Sequence, residues 1–129
     1  MTATQHTDPS AGRTTLRAAW QQERDAARRA STAGDRAEEW RRLERAHILS
    51  QPLAGPHLRT HCLMLAAATR RRDGHEILGQ LLRIALAAPG SLSGRYPLGN
   101  TGGADVSAFV PMPVPEDLRP FLSVTGGEA

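Results

Sequence analysis

Helix-breaking residues recur at four places in this chain, and they leave few folds open to it. Gly34-Asp35, the run Gln51-Pro52-Leu53-Ala54-Gly55-Pro56, Asp73-Gly74 and Pro89-Gly90 interrupt a sequence that is otherwise helically periodic from about Arg13 to Ala88. Glycine takes up turn conformations that other residues resist, and proline lacks the N–H that a helix interior needs. The first segment, Arg13 to Ala33, sets Leu16, Ala19, Trp20, Glu23, Ala27 and Ala30 on one stripe. The second runs from Arg36 to about Ser50, with Ala37, Trp40, Leu43, Glu44, His47 and Ile48 as its inner face. Pro56 suits the first turn of a third helix ending near Arg70, which carries Leu58, His61, Cys62, Leu65 and Ala68 or Thr69 inward. Asp73 caps a fourth helix, His75 to Ala88, the most apolar of the set through Ile77, Leu78, Leu81, Leu82, Ala85 and Leu86. This pattern predicts an all-α domain of two antiparallel helical hairpins, packed either as a tetratricopeptide-like array or as a four-helix bundle.

The remainder differs in kind. Ser91 to Ala129 is rich in Gly and Pro and has no sustained period, yet Tyr96, Phe109, Val110, Leu118, Phe121 and Leu122 are too apolar for a free tail. An irregular C-terminal strap over 89–122 is expected, packed onto the helices, with a helical turn near Glu116 to Phe121. Residues 1–12 lack periodicity and read as a disordered tail, 13–122 as one helical domain including the strap, and 123–129 as a frayed end. All 16 basic residues are Arg, and they alternate with Asp and Glu along the helices. The net charge of +3 therefore reads as a solvated surface and not as a nucleic-acid footprint. The apolar runs are too short to span a bilayer, so no membrane partner is expected. A polar N-terminus without a signal-peptide pattern and a single cysteine, Cys62, fit a reducing cytoplasm.

Chemical content concentrates between Leu43 and Met64. Glu44 and His47 are three residues apart, and His57 and His61 are four apart, so each pair shares a helix face. A hairpin folded at Pro52–Pro56 would bring His47 and His61 side by side, one turn from the break on either strand of the hairpin. His47, His57, His61 and Glu44 are thus the candidate metal ligands; the competing reading has the histidines capping helix ends. Three imidazoles and a carboxylate suit a divalent transition metal such as zinc, iron or copper. Cys62 points about 100° away from His61 and reads as a small core residue, and Met64 as packing. Glu23, on an otherwise apolar stripe, reads as an edge residue paired to Arg. The segment Gly99-Asn100-Thr101-Gly102-Gly103-Ala104-Asp105-Val106-Ser107 lacks the Lys-Ser/Thr ending and the preceding strand of a phosphate loop. An anion-binding nest or a lid across the site remains open to it, with Asn100 and Asp105 as polar candidates.

Leu43-Glu-Arg-Ala-His-Ile-Leu-Ser-Gln51, Pro56-His-Leu-Arg-Thr-His-Cys-Leu-Met64, Gly79-Gln-Leu-Leu-Arg83, Gly99 to Ser107 and Pro111-Met-Pro-Val-Pro115 together resemble a family of small bacterial proteins built on a domain of unknown function. The resemblance implies a loose association with metal-resistance contexts and supplies no mechanism. His47, His57 and His61 fall on the family's histidine positions, and Cys62 lies outside the pattern. The expected function is a transition-metal-binding protein with a His/Glu site, in metal handling or resistance. Two alternatives stand beside it: a small metal-dependent enzyme activating water or oxygen, and a tetratricopeptide-like interaction module without metal. Four ligands on one hairpin leave one side open, so a homodimer completing the site is compatible with the pattern.

Overall fold

Two aspartates begin helices where the sequence changes direction. In the structure, a computed structural model that describes residues 9–123, Asp35 accepts from the Glu38 N–H at 3.0 Å and Asp73 from the Glu76 N–H at 3.1 Å. Each satisfies one of the amides that a helix start leaves unpaired. The elements are α1 (Pro9–Thr32), α2 (Arg36–Ser50), α3 (Ala54–Arg71), α4 (Gly74–Ser93) and a short α5 (Arg119–Ser123). The connecting segment 94–118 is irregular. Helical order begins at Pro9, inside the stretch read as a tail; the tail's residues 1–8 and the frayed end from 124 lie outside the described residues.

α1 packs against α2 and α3 against α4, so the two expected hairpins are present, and α2 joins them through α3. Among the described residues α4 shares no comparable interface with α1 or α2, so the helices form an open series and not a closed bundle. One core cluster gathers Leu16, Ala19, Trp20, Ala46, Ile48, Leu49, Leu53 and Leu118, with Phe121 and Leu122 of α5 packed on it. A second holds Ala27, Leu43, Met64 and Ala67. Leu118 and α5 thus bring the end of the strap back onto α1, whereas Phe109 and Val110, expected to pack with them, are exposed. Trp20 donates its Nε1–H to Thr60 Oγ1 at 2.9 Å, tying the hairpins together below the site.

Four features depart from the periodicity reading. Ala37, placed on the inner face of α2, is exposed, and Glu39 is buried instead. α4 runs through Pro89 and ends at Ser93, one turn beyond the expected stop. Pro89 and Ala85 both face solvent, so the carbonyl that Pro89 leaves without an intrahelical donor is open to water. The buried face of α3 is rotated: His57, Thr60, His61, Met64, Ala67 and Ala68 point inward, while Cys62 is exposed and is not the core residue expected. α4 is turned inside out. Its buried positions are Glu76, Gln80, Arg83 and Ala87, and its leucines look outward, with Leu78 71% and Leu92 80% exposed. On that inner face Gln80 bonds His61, while Glu76 accepts from the Ala104 N–H and Arg83 donates to the Val106 carbonyl of the irregular segment.

Candidate metal centre

His47 sits in the last turn of α2, and His57 and His61 lie on successive turns at the start of α3. The Pro52–Pro56 break reverses the chain between them, so the imidazoles meet edge to face, with ring centroids 4.6 to 5.0 Å apart. All three are buried, and their ligand atoms lie within 4.8 Å of one another. His47 Nε2 is 3.0 Å from His57 Nε2 and 3.1 Å from His61 Nε2.

The other ring nitrogen of each histidine is held by an oxygen, and the partners fix the tautomers. His47 Nδ1 lies 2.7 Å from the Asn100 carbonyl, which can only accept. His61 Nδ1 lies 2.7 Å from Gln80 Oε1. The Gln80 amide cannot flip, because its Nε2 donates to Glu76 Oε1 at 2.6 Å and to the Gly102 carbonyl at 2.8 Å. His57 Nδ1 lies 2.6 Å from Ser91 Oγ, whose own hydrogen goes to the Gln51 carbonyl at 2.7 Å. Each imidazole therefore donates from Nδ1 and presents an unprotonated Nε2 to the common point. Burial, the largest cause in every case, holds the rings neutral at pH 7. His57 is pushed down to about 3 and His61 to about 4, and His47 lies well below its ordinary value. Neighbouring histidine charge lowers His47 and His57 further, and the Asn100 and Gln80 hydrogen bonds oppose the fall at His47 and His61.

The Gly99–Ser107 segment forms neither a phosphate loop nor an exposed nest; it is the wall behind His47. Asn100 is 2% exposed, and its side chain donates to the Ser107 and Val110 carbonyls and accepts from the Gly102 N–H. Gly102 has φ +82°, and a Cβ there would lie 2.7 Å from the His47 ring. Gly99, at φ +80°, would drive a Cβ into the Met112 carbonyl. Asp105 is exposed at the surface. Glu44 is not brought to the three Nε2 atoms. It accepts from Trp40 Nε1 at 3.0 Å on the side of α2, and burial raises its pKa, with Glu76 adding to the rise. Glu23 pairs with Arg42 at 3.1 Å and Arg45 at 2.9 Å, the expected Arg pairing, but it is buried and not at an edge, and Met64 is core packing.

Periodicity passed over Gln80, Arg83 and Ser91. The signal for the first two was present: Glu76, Gln80 and Arg83 recur at four and three residues on the back of a leucine-rich helix. Arg83 donates from Nη1 to the Gly79 carbonyl at 3.1 Å and from Nη2 to the Val106 carbonyl at 2.6 Å. A cavity of about 80 Å³ reaches the three histidines, walled by Arg83, Leu86, Ala87, Tyr96, Ala108 and Phe109. The centre could hold a metal ion on three imidazoles, with one side facing that cavity.

A family model, described as protein of unknown function (DUF3703), matches residues 14–122. No curated protein and no solved structure matches the chain.

Proposed function

The chain belongs to the DUF3703 family, and we propose that it binds a divalent transition metal through the Nε2 atoms of His47, His57 and His61. One observation carries the reading: three neutral imidazoles, each with its proton committed at Nδ1, converge their lone pairs at 3.0 and 3.1 Å. Mutually repelling acceptors buried together cost energy unless a cation sits among them. Metal–nitrogen bonds of about 2.0–2.1 Å in a tetrahedron put ligand atoms roughly 3.3 Å apart, close to the spacing found. Imidazole ligands without thiolate suit zinc, ferrous iron or cupric copper. The Nδ1–H···O bonds to Asn100, Gln80 and Ser91 are the kind that orient metal-bound histidines and raise their basicity.

Three protein ligands with a cavity on the fourth side make an open site, the arrangement that leaves a position for water or another ligand. That favours a metal whose ligand exchanges, in metal handling or in a small metal-dependent enzyme, over a closed structural site. An interaction module with merely structural histidines would leave the converging lone pairs without a partner. Glu44 stands outside the ligand set in this reading.

The test is metal content by plasma mass spectrometry of protein purified without an affinity tag, beside a His47→Ala, His61→Ala double variant. About one equivalent in the parent and none in the variant is expected. Less than about a tenth of an equivalent in the parent, even after loading with zinc, cobalt and copper, would sink the proposal.

A further inference from the structure

Arg83 is a buried cation with an unmet need. It is 7% exposed, yet no carboxylate lies within ion-pair distance of it among the described residues. Its Nε is buried with no hydrogen-bond partner among the described residues. Glu76, the acid whose charge acts on it, has its oxygens taken by the Ala104 N–H at 2.9 and 3.0 Å and by Gln80. Buried charges are ordinarily paired, because removing an ion from water without a counter-charge costs several kcal/mol. Arg83 lines the same cavity as the three histidines, and its charge bears on His47 and His61.

A divalent ion on the histidines would set a second positive centre against that cavity. Arg95 adds a third at the rim, where it is exposed. The space is roomy enough for a small anion, and Leu86, Ala87, Ala108 and Phe109 give it apolar walls. We propose that the cavity is a binding site for a small oxyanion or carboxylate, which ligates the metal at its open position and is anchored by the Arg83 guanidinium. This rests on the trihistidine metal site. The anion neutralises both cations, and a guanidinium facing a bound carboxylate gives a stronger hydrogen bond than a neutral donor would. Cationic ligands are disfavoured by charge.

The experiment uses cobalt-loaded full-length protein and follows its visible spectrum during titration with acetate and with azide. Saturable spectral change is expected, and Arg83→Met should weaken anion binding roughly tenfold or more at unchanged cobalt stoichiometry. Arg83→Lys, which keeps the charge and the stem, should recover part of the loss and stands in if Arg83→Met does not fold. Failure to bind cobalt at all overturns the metal site itself. Bound cobalt whose spectrum ignores both anions, or equal anion affinity in the Arg83 variants, overturns this inference alone.

A separate observation carries a second inference. Leu78, Leu81, Leu82, Ala85, Leu86, Pro89 and Leu92 form one uncharged stripe on the outer face of α4, and exposed Phe109 joins it beside Leu86 at the cavity rim. The exposed apolar side chains amount to on the order of 700 Å², beyond the largest patch of most monomers and close to the ~800 Å² per partner of a stable interface. With no charge in the stripe to select a different partner, we infer a two-fold homodimer in which α4 packs on α4 of a second copy. Sedimentation equilibrium from about 1 to 100 µM should find a dimer, a normal concentration range for an interface of this size. Leu78→Glu with Leu82→Glu should give a monomer of unchanged helicity and metal content. A parent that stays monomeric throughout, or a variant that stays dimeric, overturns it.

Discussion

Gly102→Ala isolates the contribution of the strap to the metal centre. The added Cβ would lie 2.7 Å from Cδ2 and Cγ of His47, at a backbone φ of +82°. To regain the ~3.5 Å separation of unstrained carbons the ring must retreat by roughly 0.8 Å. The loop cannot move away instead, because the Gly102 N–H is held by Asn100 Oδ1 at 2.9 Å and its carbonyl by Gln80 Nε2 at 2.8 Å. Metal–ligand distances tolerate about 0.2 Å, so His47 leaves the bonding window and affinity should fall by at least ~100-fold. The left-handed backbone alone costs an alanine about 1–2 kcal/mol. Gly34→Ala is the matched control: its φ is +75° and nothing among the described residues lies within 4 Å of the added carbon. It should lose only that backbone cost and keep full metal affinity. Chelator competition gives the affinities, and urea unfolding of the metal-free proteins gives the stabilities. Parental affinity in Gly102→Ala, or an equal loss of affinity in Gly34→Ala, would refute the idea that the strap positions His47.

Glu44→Gln should keep one equivalent of metal with affinity within about threefold of the parent, since its carboxylate bonds Trp40 and not the ion; loss of metal by mass spectrometry would make Glu44 a ligand after all. Gln80→Leu removes the acceptor of the His61 Nδ1–H and should lower affinity about 10–100-fold by calorimetric titration, and unchanged affinity would refute the tautomer assignment. The metal-free fold should weaken in acid. The folded pKa values of His57, about 3, and His61, about 4, lie below the unfolded value near 6.5, so the unfolded chain gains protons first as pH falls. Stability is intact above about pH 6.5 and drops by about 2 kcal/mol for each of these histidines by pH 5. Urea midpoints at pH 7.5 and pH 5 measure the drop, and equal midpoints would show that these rings are not buried neutral.

How far the sequence could be read depended on whether a residue's role was local. The capped turns at Asp35 and Asp73 and the stripe of α1 rest on spacing within one helix, and the structure carries them as expected. The three histidines were readable for the same reason, with a single tight break to bridge. Glu44 was not: its spacing from His47 is one that metal ligands use, but its carboxylate turns to the Trp40 Nε1–H on its own helix, a choice that spacing does not reveal. The Asn100 carbonyl could not have been found from residue types at all, because every residue carries a carbonyl. Ser91 was hidden by Pro89, which reads as a stop and is tolerated on a solvent-facing turn.

α4 misleads for a deeper reason. Apolar residues recurring at helical spacing ordinarily mark the buried face. Here the opposite face must supply Gln80 to His61 and Arg83 to the cavity, with Ser91 at the far end for His57. A helix has one inner face, so committing it to polar partners for the imidazoles sends the leucines outward. The cost of exposing them is recovered only if something covers them. The inverted helix thus links two readings that stand on separate observations. The polar back makes sense if a metal occupies the histidines, and the apolar front makes sense if a second copy closes over it, beside the mouth of the cavity that Leu86 and Phe109 share.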